Sequence, residues 1–427
     1  MLLQFSVENF KSIKEKAILS LVASPDTEHP ENYVSDGKKN CLKVLSIYGA
    51  NAAGKSNLFL ALTTAIMIVR LSNNRQVGEP IHGIVPFMFD PQKIKEPTSF
   101  EFIFTANGTK YVYGFSATKT KIETEYLYCY KTSKATTIFE RDIHAKPEYR
   151  FTSAALRKQL LPITERNTAN KLFLATATAW NCEETKEPLL WFFNRINTYS
   201  TDYESLLNLT GSMFEQDEDQ SLRIFTKNLL HEADINISDY EFEAKDISKE
   251  VFAQQMPPVL RDAISSLPES IGREYHITTE HRILTETGDY HVYTMNMKEE
   301  SRGTKNVFLI SPILKRAFET GETICIDEFD TSLHPMLVKY LVGLFNNPAV
   351  NKANAQLIIS THDMSLMSLK ELRRDQIYFI EKNQETGTSE LYSLDEFSPR
   401  KNEKIRKEYL LGRYGAIPNI EGGDFLW

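Results

Sequence analysis

The chain has no long apolar run: nowhere do its 427 residues approach the ~18 consecutive apolar positions of a membrane-spanning helix. That excludes a helical bilayer protein. Cysteine is scarce. The four present (Cys41, Cys129, Cys182, Cys325) are scattered, with neither the close pairs of a zinc site nor the density of a disulfide framework. They read as buried thiols, Cys325 within an apolar strand. Low-complexity tracts are absent. Excess positive charge is absent too. The formal net charge of −8 argues against a generally basic nucleic-acid coat. The basic clusters around Arg157 and from Arg400 to Arg413 carry interspersed acids and read as solvated helix faces. Any nucleic-acid contact is therefore expected to be local or supplied by a partner. The opening "MLLQFSVENFKSI" alternates like a strand and lacks the basic n-region of a signal peptide, so a cytoplasmic protein is expected.

What is present is a globular composition, 41% hydrophobic and 25% charged. The chain is too long for one compact core of the commonest size, and two lobes or an inserted subdomain follow.

The strongest signal is "VLSIYGANAAGKSN". Val44–Tyr48 reads as a buried strand, Gly49 to Ser56 fits G-x-x-x-x-G-K-[ST], and an apolar helical stretch follows. Each part has a reason. Gly49 and Gly54 permit backbone angles that turn successive N–H groups towards phosphate oxygens. The helix opening at Lys55 adds its positive end. Lys55 reaches the β- and γ-phosphates of ATP, and the Ser56 hydroxyl is a ligand for Mg²⁺.

"GETICIDEFD" reads as a glycine turn and a buried strand, Thr323–Ile326, ending in Asp327-Glu328. An α/β sheet places its chemical groups at such carboxyl ends. Asp327 is expected to hold Mg²⁺, and Glu328 to polarise the water that attacks the γ-phosphate. Next come Asp330, Ser332 as a candidate cap and Pro335 in a helix's first turn. A second apolar strand, Gln356–Ile359, ends at Thr361-His362-Asp363. One strand–helix–strand unit separates His362 from Asp327, which returns it beside the carboxylates, where it can hydrogen-bond a γ-phosphate. "EESRGTKNVFLI", residues 299 to 310, is by its residues alone either a surface turn or part of a binding site.

Strand, P-loop, helix, long insertion, "SRG", "ICIDEFD…LHP" and "STHD", in this order, resemble the ABC-type ATPase heads of the SMC and RecF group. Within it, "NFKSI", "ESRGTK", "DEFDTSLHP", "AQLIISTHD", "RRDQIYFIEK" and "YLLGRYGAIP" look like the stand-alone ATPases of bacterial anti-phage modules. Those include the AbiL type, the PARIS ATPase and the ATPase half of overcoming-lysogenization-defect nucleases. The resemblance implies a P-loop α/β fold, an ABC-type head with an antiparallel β layer and an inserted compact helical subdomain. It implies that Lys11 approaches the nucleotide and that Asn51, Ala53, Gly54, Lys55, Ser56 and Asn57 bind it. It implies that Ser301 and Gly303 bind the γ-phosphate held by the P-loop of an opposite copy, in a homodimer that closes around ATP and can join a higher assembly. Arg302 and Thr304 depart from the commoner glycine-glutamine ending. The glutamine expected before the insertion is missing from "NKLFLATATAWN" (Asn170–Asn181), which reads as a strand, with Thr178 as one candidate substitute.

The expected domains are 1–145 and 291–427, two halves of the head, and 146–290, a helical insertion. Residues 98–130 read as three strands with a turn at Asn107-Gly108. "SAALRKQLL", "EPLLWFFNRI", "DQSLRIFTKNLLHEA" and "VFAQQMPPVLRDAISSL" read as short amphipathic helices, and residues 274–297 as a hairpin. No heptad pattern survives three repeats, so a coiled-coil arm is not expected. The stretch after His362 holds one more strand and a basic helix, too little for a nuclease sheet. A separate nuclease or toxin chain is the expected effector, in an anti-phage ATPase. The alternatives are a RecF-like repair ATPase that binds DNA directly and a scaffold that binds ATP without turning it over.

Overall fold

The computed structural model describes residues 1–35, 40–248 and 270–418. They form two compact units: Met1–Tyr199 with Ala317–Asp330 and Val338–Trp427, and Ser200–Arg316 with Thr331–Leu337.

The first unit contains two large sheets. One is antiparallel throughout, in the order Tyr149–Arg150, Thr136–Asp142, Ile122–Tyr130, Thr109–Ala117, Thr98–Ala106, Leu2–Glu8, Ala17–Ser20. Its strands alternate as a half-buried sheet demands: in Thr98–Ala106 every second side chain is buried up to Phe104. The expected turn is there, with Asn107 at φ 47° and Gly108 at φ 73°, the left-handed pair that a tight hairpin requires. The other sheet runs Ile196–Tyr199, Thr323–Ile326, Gln356–Ser360, Val44–Tyr48, Ile377–Lys382, Ser389–Ser393. Its first five strands are parallel and only the last is antiparallel. The three central strands are buried at every position, which explains their unbroken apolar runs. Parallel pairing places all their carboxyl ends on one edge.

Both sheets contribute to one apolar cluster, from Phe5, Phe102 and Phe104 to Leu45, Ile358 and Ile380. The helix Glu183–Asn194 adds Trp191, stacked on Phe104 at 4.1 Å, and Phe192, edge-on to Phe102 at 5.0 Å. All four cysteines are buried, and none is in a disulfide.

The stretch expected as a strand from Asn170 to Asn181 is instead the helix Phe173–Ala179. Its alternation of alanine and threonine imitates a period of two, but a remote carboxylate decides the outcome. Glu125 is fully buried and accepts from the N–H groups of Phe173 at 2.5 Å and Leu174 at 2.9 Å and from the Tyr113 hydroxyl at 3.0 Å. It supplies the cap that the local sequence lacks. Burial raises the Glu125 pKa against the pull of these donors and of Arg141. Glu125→Ala leaves three buried donors unpaired, and we expect a loss of about 3 kcal/mol in urea unfolding. An unchanged midpoint would show the cap to be dispensable.

The second unit contains the helices Tyr203–Glu215 and Ser221–Glu232, most of Arg302–Thr320, and a three-stranded antiparallel sheet, Asp239–Ser248, Ser270–Leu284 and Tyr290–Asn296. Phe308 joins helix to sheet, 5.0 Å from Phe214 and 4.8 Å from Tyr240. The expected hairpin from residue 274 is its outer pair. The helix read in "VFAQQMPPVLRDAISSL" lies outside the described residues. No described helix exceeds 19 residues, and none is long and apolar enough to cross a membrane.

Candidate functional site

Val44–Tyr48 delivers the glycine-rich loop to the carboxyl edge of the parallel sheet, between Gln356–Ser360 and Ile377–Lys382. Two glycines are required there for different reasons. A Cβ on Gly49 would sit 2.4 Å from the Ile380 carbonyl oxygen, because the loop leaves the sheet against its neighbour's backbone. Gly54 has φ 118°, and a Cβ there would also meet Ser389 Oγ at 2.5 Å. The helix Lys55–Arg70 starts immediately after it.

Lys55 is 6% exposed. Its ammonium donates to the carbonyls of Gly49 at 2.8 Å and Ala50 at 3.2 Å, so it lies back over the loop it serves. Burial lowers its pKa, while Asp327, Glu328 and Asp330 pull it upward. The loop and the acidic turn thus form one electrostatic cluster. Asn51 and Ser56 are exposed, Ala53 is buried and Asn57 half-buried.

The "NFKSI" turn reaches the same loop through a residue that the sequence did not single out. Asn9 (φ 54°) and Lys11 (φ 50°) fold it back on itself, and Lys11 N–H donates to the Val85 carbonyl at 2.8 Å. Ser12 then accepts from Asn57 Nδ2 at 2.7 Å and lies 2.8 Å from Ser389 Oγ, which bonds the Ala53 carbonyl at 2.6 Å. Ser12 was visible as part of the motif. Ser389, on an edge strand far along the chain, had no signal.

On the carboxylate side, Asp327 is half-buried and Glu328 exposed, the latter with φ 52°. Ser360, at the end of the next strand, donates to the Asp327 carboxylate and accepts from Glu328 N–H at 2.7 Å. Asp330 accepts from His362 N–H at 3.1 Å, and the His362 side chain is exposed. A cavity of about 750 Å³ adjoins, bounded by Gly49, Asn51, His362, Glu381, Tyr409 and Ile417 among others. The "YLLGRYGAIP" segment is thus one wall of it. Phe379, paired with Tyr48 in the sheet, stacks on Tyr409 at 5.4 Å and Tyr414 at 5.9 Å, which fixes that wall.

Thr178 is not beside this group. Its hydroxyl bonds Leu174 O and Thr185 Oγ1, each at 2.8 Å, within the helical layer. The strands beside Thr323–Ile326 are Ile196–Tyr199 and Gln356–Ser360.

Ser301 and Gly303 form a cluster of their own in the second unit. Ser301 precedes the helix Arg302–Thr320, and its hydroxyl accepts from Thr304 N–H at 3.1 Å, an ordinary N-terminal cap. Gly303 lets Ser332 approach: a Cβ would sit 2.7 Å from the Ser332 carbonyl oxygen. Ser332 is not the cap expected for the following helix. It has φ 61°, the helix starts at Pro335, and His334 Nδ1 accepts from Met336 N–H at 3.2 Å.

Chemically, the first cluster offers a glycine cradle, a buried lysine, an exposed serine hydroxyl and two acids, Asp327 and Glu328, at the end of one strand. That set suits a polyphosphate with a hard divalent cation. Among the described residues no group of three or more His, Cys, Asp or Glu can hold a metal. A cation here would share its ligands with phosphate and water, which is the habit of Mg²⁺.

Comparison with known proteins agrees with the loop and the acidic strand. Solved structures similar to the chain have low identity and low superposition scores. An SMC head bound to the C-winged helix domain of ScpA gives 12% identity and a TM-score of 0.41, over 92% of this chain and 97% of that one. An SMC head with extended coiled coil, bound to the C-terminal domain of Pyrococcus furiosus ScpA, gives 12% and 0.40, over 96% and 99%. The cbiO1 protein of Clostridium perfringens, part of the cbiONQ ABC transporter complex, gives 13% and 0.31, over 97% and 98%. No curated protein matches. A sequence profile matches residues 44–180 and 184–368, which include the P-loop, the acidic strand and His362, and on that match the chain belongs to the family described as "AAA domain, putative AbiEii toxin, Type IV TA system".

Proposed function

We propose that this chain is an Mg²⁺-dependent ATPase whose two copies close on ATP and thereby control a separate nuclease or toxin in anti-phage defence. The observation that carries the catalytic part is the cluster of buried Lys55, which follows the strand Val44–Tyr48, with Asp327, Glu328 and Asp330 in the turn after Thr323–Ile326, on the carboxyl edge of one parallel sheet. Gly49 to Gly54 bind the phosphates through backbone N–H groups, with Asn51, Ala53 and Asn57 along the loop. Lys55 binds the β- and γ-phosphates and Lys11 approaches the nucleotide from the N-terminal turn. The Ser56 hydroxyl and Asp327 hold Mg²⁺, which neutralises phosphate charge. Glu328, exposed and therefore free to meet water, orients the attacking water and takes its proton. His362, backed by Asp330, donates to the γ-phosphate. A polyphosphate beside Lys55 adds to the acids that favour its charged form against burial.

The family description supports the defence reading over DNA repair, since it names a putative toxin of a toxin–antitoxin system. So does the net charge of −8; tight, steeply salt-dependent DNA binding by the isolated chain would reverse that preference.

The dimer rests on Ser301 and Gly303. A helix N-terminus binds anions, and the S-x-G spacing presents a hydroxyl and an N–H together. Ser301 is exposed, so Ser301→Arg introduces bulk without burying charge. ATP binding by the single chain is expected to be nearly unchanged, while ATP-driven dimerisation in sedimentation, and turnover with it, are lost. Normal dimerisation and turnover by this variant would return the segment to a plain helix cap.

A further inference from the structure

Ser360 is fully buried at the carboxyl end of its strand, directly beside Ile47 of the P-loop strand. A hydroxyl has one proton, and the partners fix where it goes. It is donated to the Asp327 carboxylate, while the oxygen accepts Glu328 N–H at 2.7 Å. The Ser360 carbonyl accepts Phe329 N–H at 3.0 Å. One residue therefore makes three consecutive hydrogen bonds to the turn 327–329, and that turn contains Glu328 in the left-handed region at φ 52°. A glutamate does not favour that conformation without support.

We propose that Ser360 is the positioning residue of the acid pair. Its hydroxyl aims Asp327 by occupying one carboxylate oxygen, leaving the other for the cation. By accepting the Glu328 amide it sets the backbone from which Glu328 meets water. The Asp330–His362 bond closes the same staple from the other side, so acids and histidine are presented as one rigid edge. This role rests on the ATPase reading above, but the geometry behind it is testable without turnover.

The test uses Ser360→Ala and Ser360→Thr in the full chain. In nucleotide-free protein, hydrogen exchange over residues 327–330 accelerates in Ser360→Ala and returns towards wild type in Ser360→Thr. In steady state, Ser360→Ala lowers kcat and raises the Mg²⁺ concentration for half-maximal rate, each on the order of tenfold or more, as loss of a group behind a metal ligand does. KM for ATP stays near wild type, because the P-loop is untouched, and Mg²⁺-free nucleotide binding serves as the check on folding. Threonine restores both parameters. Unchanged exchange, or unchanged kcat and Mg²⁺ requirement in a wild type that hydrolyses ATP, overturns the proposal alone. A wild type that hydrolyses no ATP overturns the ATPase reading and this role together.

Discussion

Lys55→Ala abolishes nucleotide binding. The ammonium lies over the loop, held to the carbonyls of Gly49 and Ala50 at 2.8 and 3.2 Å. Removing it forfeits charge-assisted bonds to phosphate worth about 3 kcal/mol or more, on the order of a hundredfold or greater in affinity. It also leaves Asp327, Glu328 and Asp330 facing the triphosphate without compensation. Titration calorimetry with ATP reads the loss directly. ATP bound at near wild-type strength by this variant would mean that the phosphates lie elsewhere.

Glu328→Gln separates binding from chemistry. The side chain is exposed, and glutamine keeps its length, so neither the fold nor the phosphate cradle is disturbed. The variant gives up the ability to take a proton. Loss of a general base lowers turnover by roughly 10²–10⁴-fold, while ATP affinity holds and the closed dimer accumulates. Phosphate release and sedimentation with ATP measure the two effects. The same trapped protein is the bait for the effector, identified by mass spectrometry of what is retained. Hydrolysis at the wild-type rate would remove Glu328 from its assigned role.

The legible and illegible parts of this molecule differ in how far their causes reach. Gly49, Gly54 and Lys55 are a motif because backbone geometry and one cation suffice for a phosphate, and all lie within one loop. The strand Thr323–Ile326 was legible because it is buried on both faces and ends in two acids. The helix Phe173–Ala179 was misread because its cap, Glu125, comes from a different sheet strand. Ser360 and Ser389 escaped notice for the same kind of reason. A serine beside a motif has no period and no spacing rule, and its meaning appears only when the strand ends are brought together. Gly303 carries a further lesson. Its lack of a side chain is demanded by Ser332 within the chain itself, so the glycine alone is not evidence for a phosphate.

The order of the parallel sheet has a consequence for the protein during its own synthesis. The P-loop strand, Val44–Tyr48, is made well before both of its neighbours, Gln356–Ser360 and Ile377–Lys382. The Gln356 side chain closes onto the Leu42 carbonyl across 314 residues of sequence. At ~5–20 residues per second, a ribosome leaves the phosphate loop without its sheet for on the order of half a minute. A chain interrupted in that interval carries the whole motif from Gly49 to Ser56 and still lacks the strands that hold it. Competence for nucleotide is thus acquired only once residues 356–382 have been made.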